Sequence, residues 1–440
     1  MIKNGLQIGL LIFGMTFGAG NLIFPPSLGF QSGPLFWPAV IGFIISGVGM
    51  PVVSLIMGTF NPGGFRAEMN RKISPLFSLV ILTIIYLAIG PLMAIPRTAA
   101  TAFSIGILPL AGDGSLQLGM YTLIYFALAW WLSVTPSKLL SYIGKVLTPI
   151  FAVMIVALFV MGLAAFTMPE LVAPMGKYSD AAFGTGFIEG YNTVDTIAAF
   201  AFCIIALKTM ETMQFSSRRD YYISVWAAGA CVAVLMGFLY LGLALLGNHF
   251  PIPADVYGNP SINLGAYVLT QTSYALFGDI GVWFLAIMVS LTCFTTSVGL
   301  IAAVSEFFAD EFPRLSYKAY VTIITLFSLG AANMGLNQII HLTLPILLFV
   351  YPIAITVVML IIVNKLVKLS RIGMRLAVAA ASVCAIFDIG HQYFSIAAAT
   401  SVVEKLPLGM SGLGWFVPVL ICIALSFVLP QKISGDVDAQ

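Results

Sequence analysis

The residues of this chain that could do chemistry are few, and nearly all lie inside stretches apolar enough to cross a bilayer. Arg97, Glu189, Asp195, Glu306, His341 and Asp388 are the ionisable groups in such stretches. Holding each one there costs roughly a few kcal/mol or more, so each is expected to pair with another group or to face water. Glu189 and Asp195 could balance a cation or an ammonium group; the alternative for Glu189 is a solvated place near the outer surface. Arg97, in Pro96-Arg97-Thr98, could gate the site, pair with one of these acids or receive a carboxylate, and structural pairing is the reading taken here. Glu306 precedes Asp310 and Glu311 and reads as a solvated helix end. His249, His341 and His391 show no ligand spacing. Cys203, Cys231, Cys293, Cys384 and Cys422 have neither paired nor CxxC spacing, so neither a metal cluster nor a disulfide framework is expected.

Three uncharged features are sharper. Gly14-Met-Thr-Phe-Gly-Ala-Gly-Asn-Leu-Ile-Phe-Pro-Pro26 sets three glycines, Asn21 and a proline pair inside an apolar run. Unwound backbone at membrane depth is tolerated only where protein, water or a ligand completes its hydrogen bonds, so the break is a candidate binding site. The alternative is that Gly18 and Gly20 merely allow close helix packing. A second interruption, Gly184-Thr-Gly-Phe-Ile-Glu-Gly-Tyr-Asn-Thr-Val-Asp195, falls five spans later. Five is odd, so a repeat of that length is inverted in the membrane, and paired interruptions point to a substrate site near the midplane. In Leu291-Thr-Cys-Phe-Thr-Thr-Ser-Val-Gly299, Thr292, Thr295 and Thr296 share one helical face. Their hard oxygens suit a small hard cation such as Na⁺. The alternative is hydroxyls bonded back to the preceding turn.

These groups must be positioned by membrane-spanning helices. Of 440 residues, 60% are hydrophobic and 8% charged, and mean hydropathy is +1.04. Soluble domains do not have such a composition. Hydropathy predicts twelve spans, near 5–30, 35–58, 75–103, 117–135, 139–167, 185–209, 221–247, 280–308, 317–332, 336–364, 373–393 and 412–430. With a cytoplasmic amino terminus, loop Lys and Arg collect on the cytoplasmic side, and one span more or fewer would destroy that asymmetry. Both ends are therefore placed in the cytoplasm. One transmembrane domain is expected over 1–430, divided as 5–167, 185–364 and 373–430, with a tail over 431–440. The external stretch Tyr267 to Phe277 is expected to form short helices capping the protein. The bilayer is the expected surrounding, no nucleic-acid partner is implied, and the oligomeric state is not legible.

Four fragments together resemble the bacterial branched-chain amino acid transport system II carriers, the leucine, isoleucine and valine cation symporters of the BrnQ type. They are Gly18-Ala-Gly-Asn-Leu-Ile-Phe-Pro-Pro26, Gly90-Pro-Leu-Met-Ala-Ile-Pro-Arg-Thr-Ala99, Gly190-Tyr-Asn-Thr-Val-Asp-Thr196, and the span 8 Ser/Thr run followed by Ala303-Val-Ser-Glu-Phe-Phe308. The similarity runs essentially end to end. It implies an all-α LeuT-like fold, with a 5+5 inverted repeat, broken spans 1 and 6, and two extra C-terminal helices. It implies a sodium site from the carbonyls of Gly14, Phe17 and Thr292 and the hydroxyls of Thr295 and Thr296. By the same resemblance, backbone N–H groups of Gly18, Ala19, Gly20 and Asn21 meet the substrate carboxylate, and Tyr191, Asn192, Thr193, Val194 and Asp195 receive the ammonium end. The chain departs from the pattern at a second sodium site: Asn21 matches one ligand, but span 7 has no asparagine within the membrane, and apolar residues around Phe24 stand in place of a gate arginine.

The expected function is import of leucine, isoleucine and valine coupled to Na⁺ across the bacterial cytoplasmic membrane, with no catalysis. Two alternatives remain at this stage. One is the same carrier driven by protons through Glu189 or Asp195. The other is an intramembrane serine protease using Ser411 of Gly409-Met-Ser-Gly412, with His391 as its base.

Overall fold

The computed structural model describes residues 2–61, 63–112, 114–135, 146–166, 171–213, 215, 217–259 and 262–429. Residues 139–145 and 167 of the expected fifth span, the 431–440 tail, and Lys138, Lys145 and Lys432 of the charge asymmetry lie outside the described residues. Among the described residues the chain folds into helices with no strand. In hydrocarbon a helix satisfies its backbone groups within one segment, which a lone strand cannot do. The principal helices are α1 (Ile2–Thr16), α2 (Ala19–Ser32), α3 (Phe36–Ile44), α4 (Met50–Thr59), α5 (Gly64–Lys72), α6 (Ala94–Ala102), α7 (Tyr178–Glu189), α8 (Asp195–Glu211), α9 (Arg218–His249), α10 (Leu264–Glu311), α11 (Leu336–Leu366) and α12 (Arg371–Gln392).

Among the described residues, eight helical runs are long and apolar enough to cross a membrane, and the bent pair α7–α8, taken as one span, makes a ninth. The expected twelve spans differ from this number for physical reasons. Span 1 is cut at Phe17-Gly18, and its second half runs on into span 2 as the single stretch Ala19–Thr59, turned at Gly33 (φ 49°). Tyr317–Ala332 and Phe416–Leu425, with 16 and 10 residues, are shorter than the roughly 20 residues a straight crossing needs.

Two expectations about the breakers need correction. Pro25 and Pro26 lie inside α2 and do not end it; the interruption sits further back, at Phe17-Gly18. Gly186 likewise breaks nothing, whereas Gly190 stands where α7 has ended and the turn over Gly190–Thr193 begins. A Cβ on Gly186 would lie 2.0 Å from the Ala39 carbonyl oxygen, and one on Gly190 1.9 Å from Ser46 Oγ, so these glycines let span 6 touch span 2. Ser46 Oγ donates to the Phe187 carbonyl at 2.6 Å across that contact. Gly29 and Gly247 do the same between α2 and α9, where added Cβ atoms would meet the Ala244 and Pro26 carbonyls at 1.9 and 2.0 Å. Lipid offers no hydrophobic drive for helix association, so close backbone packing through small residues takes its place.

The chain forms two compact units. The first holds Met1–Phe60 and Ile85–Leu344. In it α1 and α2 pack on α9, while α3 and α4 pack on α7 and α8. Span 1 thus meets span 7 and span 2 meets span 6, the crossed pairing that exchanging 1 with 6 and 2 with 7 demands. Helix α10 packs on α2 and α6. It is kinked at Gly278 (φ 58°), and its first segment covers the expected capping stretch Tyr267 to Phe277; there Gly265 is pressed against the Ile23 carbonyl of α2.

The second unit holds Asn61–Ile84 and Pro345–Gln440. Helix α12 packs on Phe416–Leu425 and on Ala397–Lys405. The Ser411 N–H donates to the Leu408 carbonyl at 3.1 Å within a tight turn, and His391 Nδ1 lies 2.9 Å from Thr400 Oγ1. Among the described residues no hydrogen bond joins Ser411 to His391, so the nucleophile–base pair expected of a protease is not assembled.

Candidate substrate and cation site

The first break is made by Asn21. Its side-chain oxygen accepts the Gly18 N–H at 2.9 Å, the donor that would otherwise bond the Gly14 carbonyl four residues back. Gly14 O is thereby released toward α10, where Thr295 Oγ1 donates to it at 2.9 Å. Thr296 Oγ1 donates to the Phe17 carbonyl at 3.3 Å, and both hydroxyls reach the Thr292 carbonyl, at 2.9 and 3.3 Å. The oxygens of Gly14, Phe17, Thr292, Thr295 and Thr296 therefore converge on one spot, buried and shared between span 1 and span 8. Thr292 contributes only its carbonyl, because its hydroxyl bonds back to Met288 O at 2.7 Å. An all-oxygen set of carbonyls and hydroxyls is chemistry suited to a hard monovalent cation, and the two hydroxyls can turn their lone pairs inward.

The second break lies at Val194, between a short turn over Gly190–Thr193 and α8. Val194 has φ 72° and ψ 3°, a left-handed conformation that a β-branched residue adopts only when its surroundings impose it. Arg97 is one part of those surroundings. Nη1 donates to the Asn192 carbonyl at 2.6 Å and Nη2 to the Thr193 carbonyl at 3.4 Å, with the guanidinium 5.6 Å from the Phe24 ring centroid. The expected pairing of Arg97 thus falls on backbone carbonyls that the break leaves without helical partners. It arrives there because Gly90 (ψ −125°) and Met93 interrupt span 3 and start α6 afresh. Asp195, 2% exposed at the first position of α8, accepts from Asn21 Nδ2 at 2.8 Å and from the Tyr240 hydroxyl at 2.5 Å. Tyr240 also bonds Asn21 directly. The two breaks are therefore tied together through one carboxylate.

A small cavity lies between them, lined by Gly18, Ala19, Gly20 and Asn21 on one side and Thr193, Val194 and Asp195 on the other, with Arg97, Phe202 and Leu300 at its edges. Its volume is about 20 Å³, room for one water but not for an amino acid. Of the expected substrate residues, Gly18 has its N–H occupied by Asn21. Tyr191 is buried against Phe187, with ring centroids 5.7 Å apart, and Asn192 turns its amide to Glu189 Oε2 at 2.9 Å. Neither side chain lines the cavity. Glu189 is half-buried and holds the turn before the break. Glu306, expected as a solvated end, is ion-paired with Lys208 of α8. Sequence reasoning missed Tyr240: it sits in the apolar run of span 7, with no spacing signal to single it out. It also missed the kink at Gly90, which Gly90-Pro91 could have signalled.

Residues 1–433 of the 440 match the family model described as branched-chain amino acid transport protein. A Staphylococcus aureus protein provisionally named a branched-chain amino acid carrier is 38% identical over 447 residues, covering 99% of this chain and 98% of the relative. Among solved structures, the nucleobase-cation-symport-1 family transporter Mhp1 in a closed conformation superposes with a TM-score of 0.61 at 14% identity, covering 98% of this chain and 94% of that one. A Na⁺-coupled sialic acid symporter gives 0.60 at 15%, covering 97% and 90%. At such identities these likenesses establish the fold, which is the LeuT-like one. With the fold established by the solved structures and the sequence match running from end to end, the chain belongs to the branched-chain amino acid transport protein family.

Proposed function

We propose that the protein is a secondary active symporter that imports leucine, isoleucine and valine together with Na⁺ by alternating access, as a multi-pass protein of the bacterial cytoplasmic membrane with both termini inside. The observation that carries this reading is the convergence of five oxygens from Gly14, Phe17, Thr292, Thr295 and Thr296 beside a cavity that is itself bounded by the two breaks. A cation held there ties span 1 to span 8 and fixes the N-terminus of α2. The N–H groups of Ala19, Gly20 and Asn21 then meet the substrate carboxylate where the helix dipole favours negative charge. The ammonium end turns to Asp195 and the backbone around Thr193. Because the cavity holds only a water-sized volume, entry of a branched amino acid requires the broken spans to separate, and their return traps it.

Energetics favour coupling to a cation. One positive charge moving down about 100 mV releases about 2.3 kcal/mol, and a tenfold sodium gradient adds about 1.4, enough to concentrate a net-neutral zwitterion roughly 500-fold. One methylene changes binding by only about 1–3 kcal/mol, so one apolar pocket accepts all three substrates. The test is uptake of labelled leucine by proteoliposomes under imposed sodium or proton gradients, with valine, isoleucine and alanine as competitors. The double variant Thr295→Ala/Thr296→Ala is expected to lose sodium-driven uptake. Unchanged sodium dependence in that variant would refute the cation assignment, and uptake driven by an acid gradient without sodium would replace it by proton coupling.

A further inference from the structure

The second unit carries a basic surface whose residues are not among those of the candidate substrate and cation site. Residues 64–76 and 364–376 together hold seven Lys and Arg and a single acid, Glu68. Glu68 is 5% exposed and ion-paired with both Arg71 and Lys72. The two segments form one surface. Arg375 Nε donates to the Ile73 carbonyl at 3.0 Å, and Lys365 lies within electrostatic reach of Glu68 and Lys72. Helix α12 begins at the same place, with Ser370 capping its N-terminus through the Gly373 N–H, so the positive end of its dipole adds to the side-chain charge.

Exposed aliphatic side chains sit among these cations. Leu366 is 79% exposed, Val367 52%, Ile372 46% and Leu376 44%, while Lys365, Lys368 and Arg375 are exposed between them. Water would disfavour the leucines and hydrocarbon the lysines. Only the boundary between acyl chains and headgroups satisfies both at once, and there the cations demand negative charge.

We propose that the surface formed by α5, the end of α11 and the start of α12 binds the phosphodiester headgroup of an anionic phospholipid, with the acyl chains lying against Leu366, Val367, Ile372 and Leu376. Phosphates meet Lys365, Lys368, Arg371 and Arg375, of which Lys365, Lys368 and Arg375 are exposed. The assignment is independent of what the first unit transports.

The test is native mass spectrometry of the full chain, purified and exposed to equimolar phosphatidylglycerol and phosphatidylcholine. Wild type is expected to retain phosphatidylglycerol preferentially, and less of it as ionic strength rises. The triple variant Lys365→Gln/Lys368→Gln/Arg375→Gln is expected to bind phosphatidylglycerol on the order of 100-fold more weakly, whereas Lys177→Gln leaves retention unchanged. Equal retention by the triple variant and wild type, or no preference between the two lipids in wild type, overturns the proposal. If the triple variant does not fold, the salt series on wild type decides alone: retention that is indifferent to salt means acyl contact without headgroup recognition, and the proposal fails.

Discussion

At Gly18 the chain leaves the helix through a residue with no side chain, whereas at Val194 it does so through a β-branched residue held at φ 72°. The first break is produced locally. Asn21, three residues on, takes the Gly18 N–H, and Gly18 is needed because a Cβ there would lie 2.7 Å from Thr296 Oγ1. The second is imposed from outside. Arg97 from span 3 holds the carbonyls of Asn192 and Thr193, and Asn21 and Tyr240 from spans 1 and 7 hold the Asp195 carboxylate. One break is therefore written into its own residues, and the other exists only while its neighbours are in place. An element of the second kind is the one that a change elsewhere in the bundle can shift.

Substitutions can break this contrast. The largest effect is expected from Gly18→Val, whose side chain would occupy the space of the Thr296 hydroxyl. Sodium-driven leucine uptake should fall by roughly 100-fold or more, since overpacking of about 1–3 kcal/mol adds to the loss of an ion ligand. Normal uptake would show that the first break tolerates a side chain after all. Next comes Arg97→Ala, which leaves two buried carbonyls unsatisfied at about 1–3 kcal/mol each. Leucine affinity measured by scintillation proximity should weaken by about 10- to 100-fold, with Arg97→Lys recovering only part because one ammonium cannot span both carbonyls.

Tyr240→Phe sharpens the comparison further. It removes one donor to Asp195 without changing shape, and a hydrogen bond to a charged group contributes about 1.5–3 kcal/mol. Substrate affinity should drop by roughly tenfold while thermal stability in detergent changes little; the reverse pattern would make Tyr240 a packing residue only. The smallest effect is expected for Val194→Gly. Relief of left-handed strain, about 1–3 kcal/mol, offsets the loss of a buried side chain of similar worth. Stability should stay within about 1 kcal/mol of wild type and uptake within a few-fold. A collapse of either would mean that the Val194 side chain, and not its neighbours, maintains the second break.

Much of the helical layout was legible because hydropathy over roughly 20 residues reports burial in lipid directly. The interruption near Gly14–Asn21 was legible too, since glycine and asparagine act through their own backbone. The proline pair misled, because a proline removes only its own N–H and the remaining contacts of α2, including Gly247 against the Pro26 carbonyl, keep the helix intact. Gly186 of span 6 misled for the opposite reason: it serves a neighbour's approach and leaves its own helix whole. The shared face of Thr292, Thr295 and Thr296 was legible from their spacing, and the carbonyls of Gly14 and Phe17 came from the resemblance; these oxygens lie together in the structure, and a cation among them is the proposal made above. Tyr240 could not be found, because a tyrosine in an apolar run gives no sign of which helix it will face.

The sequence by itself determined that this is a bundle of membrane helices with an interruption in its first span, because both follow from the apolar length of each segment and from residues acting on their own backbone. Only the tertiary structure decided where the second interruption falls, which carbonyls Arg97 takes, and that Asp195 is held by Asn21 and Tyr240. Those outcomes depend on groups from spans 1, 3 and 7 meeting span 6, and one-dimensional patterns carry no information about which faces of different helices come to lie opposite each other.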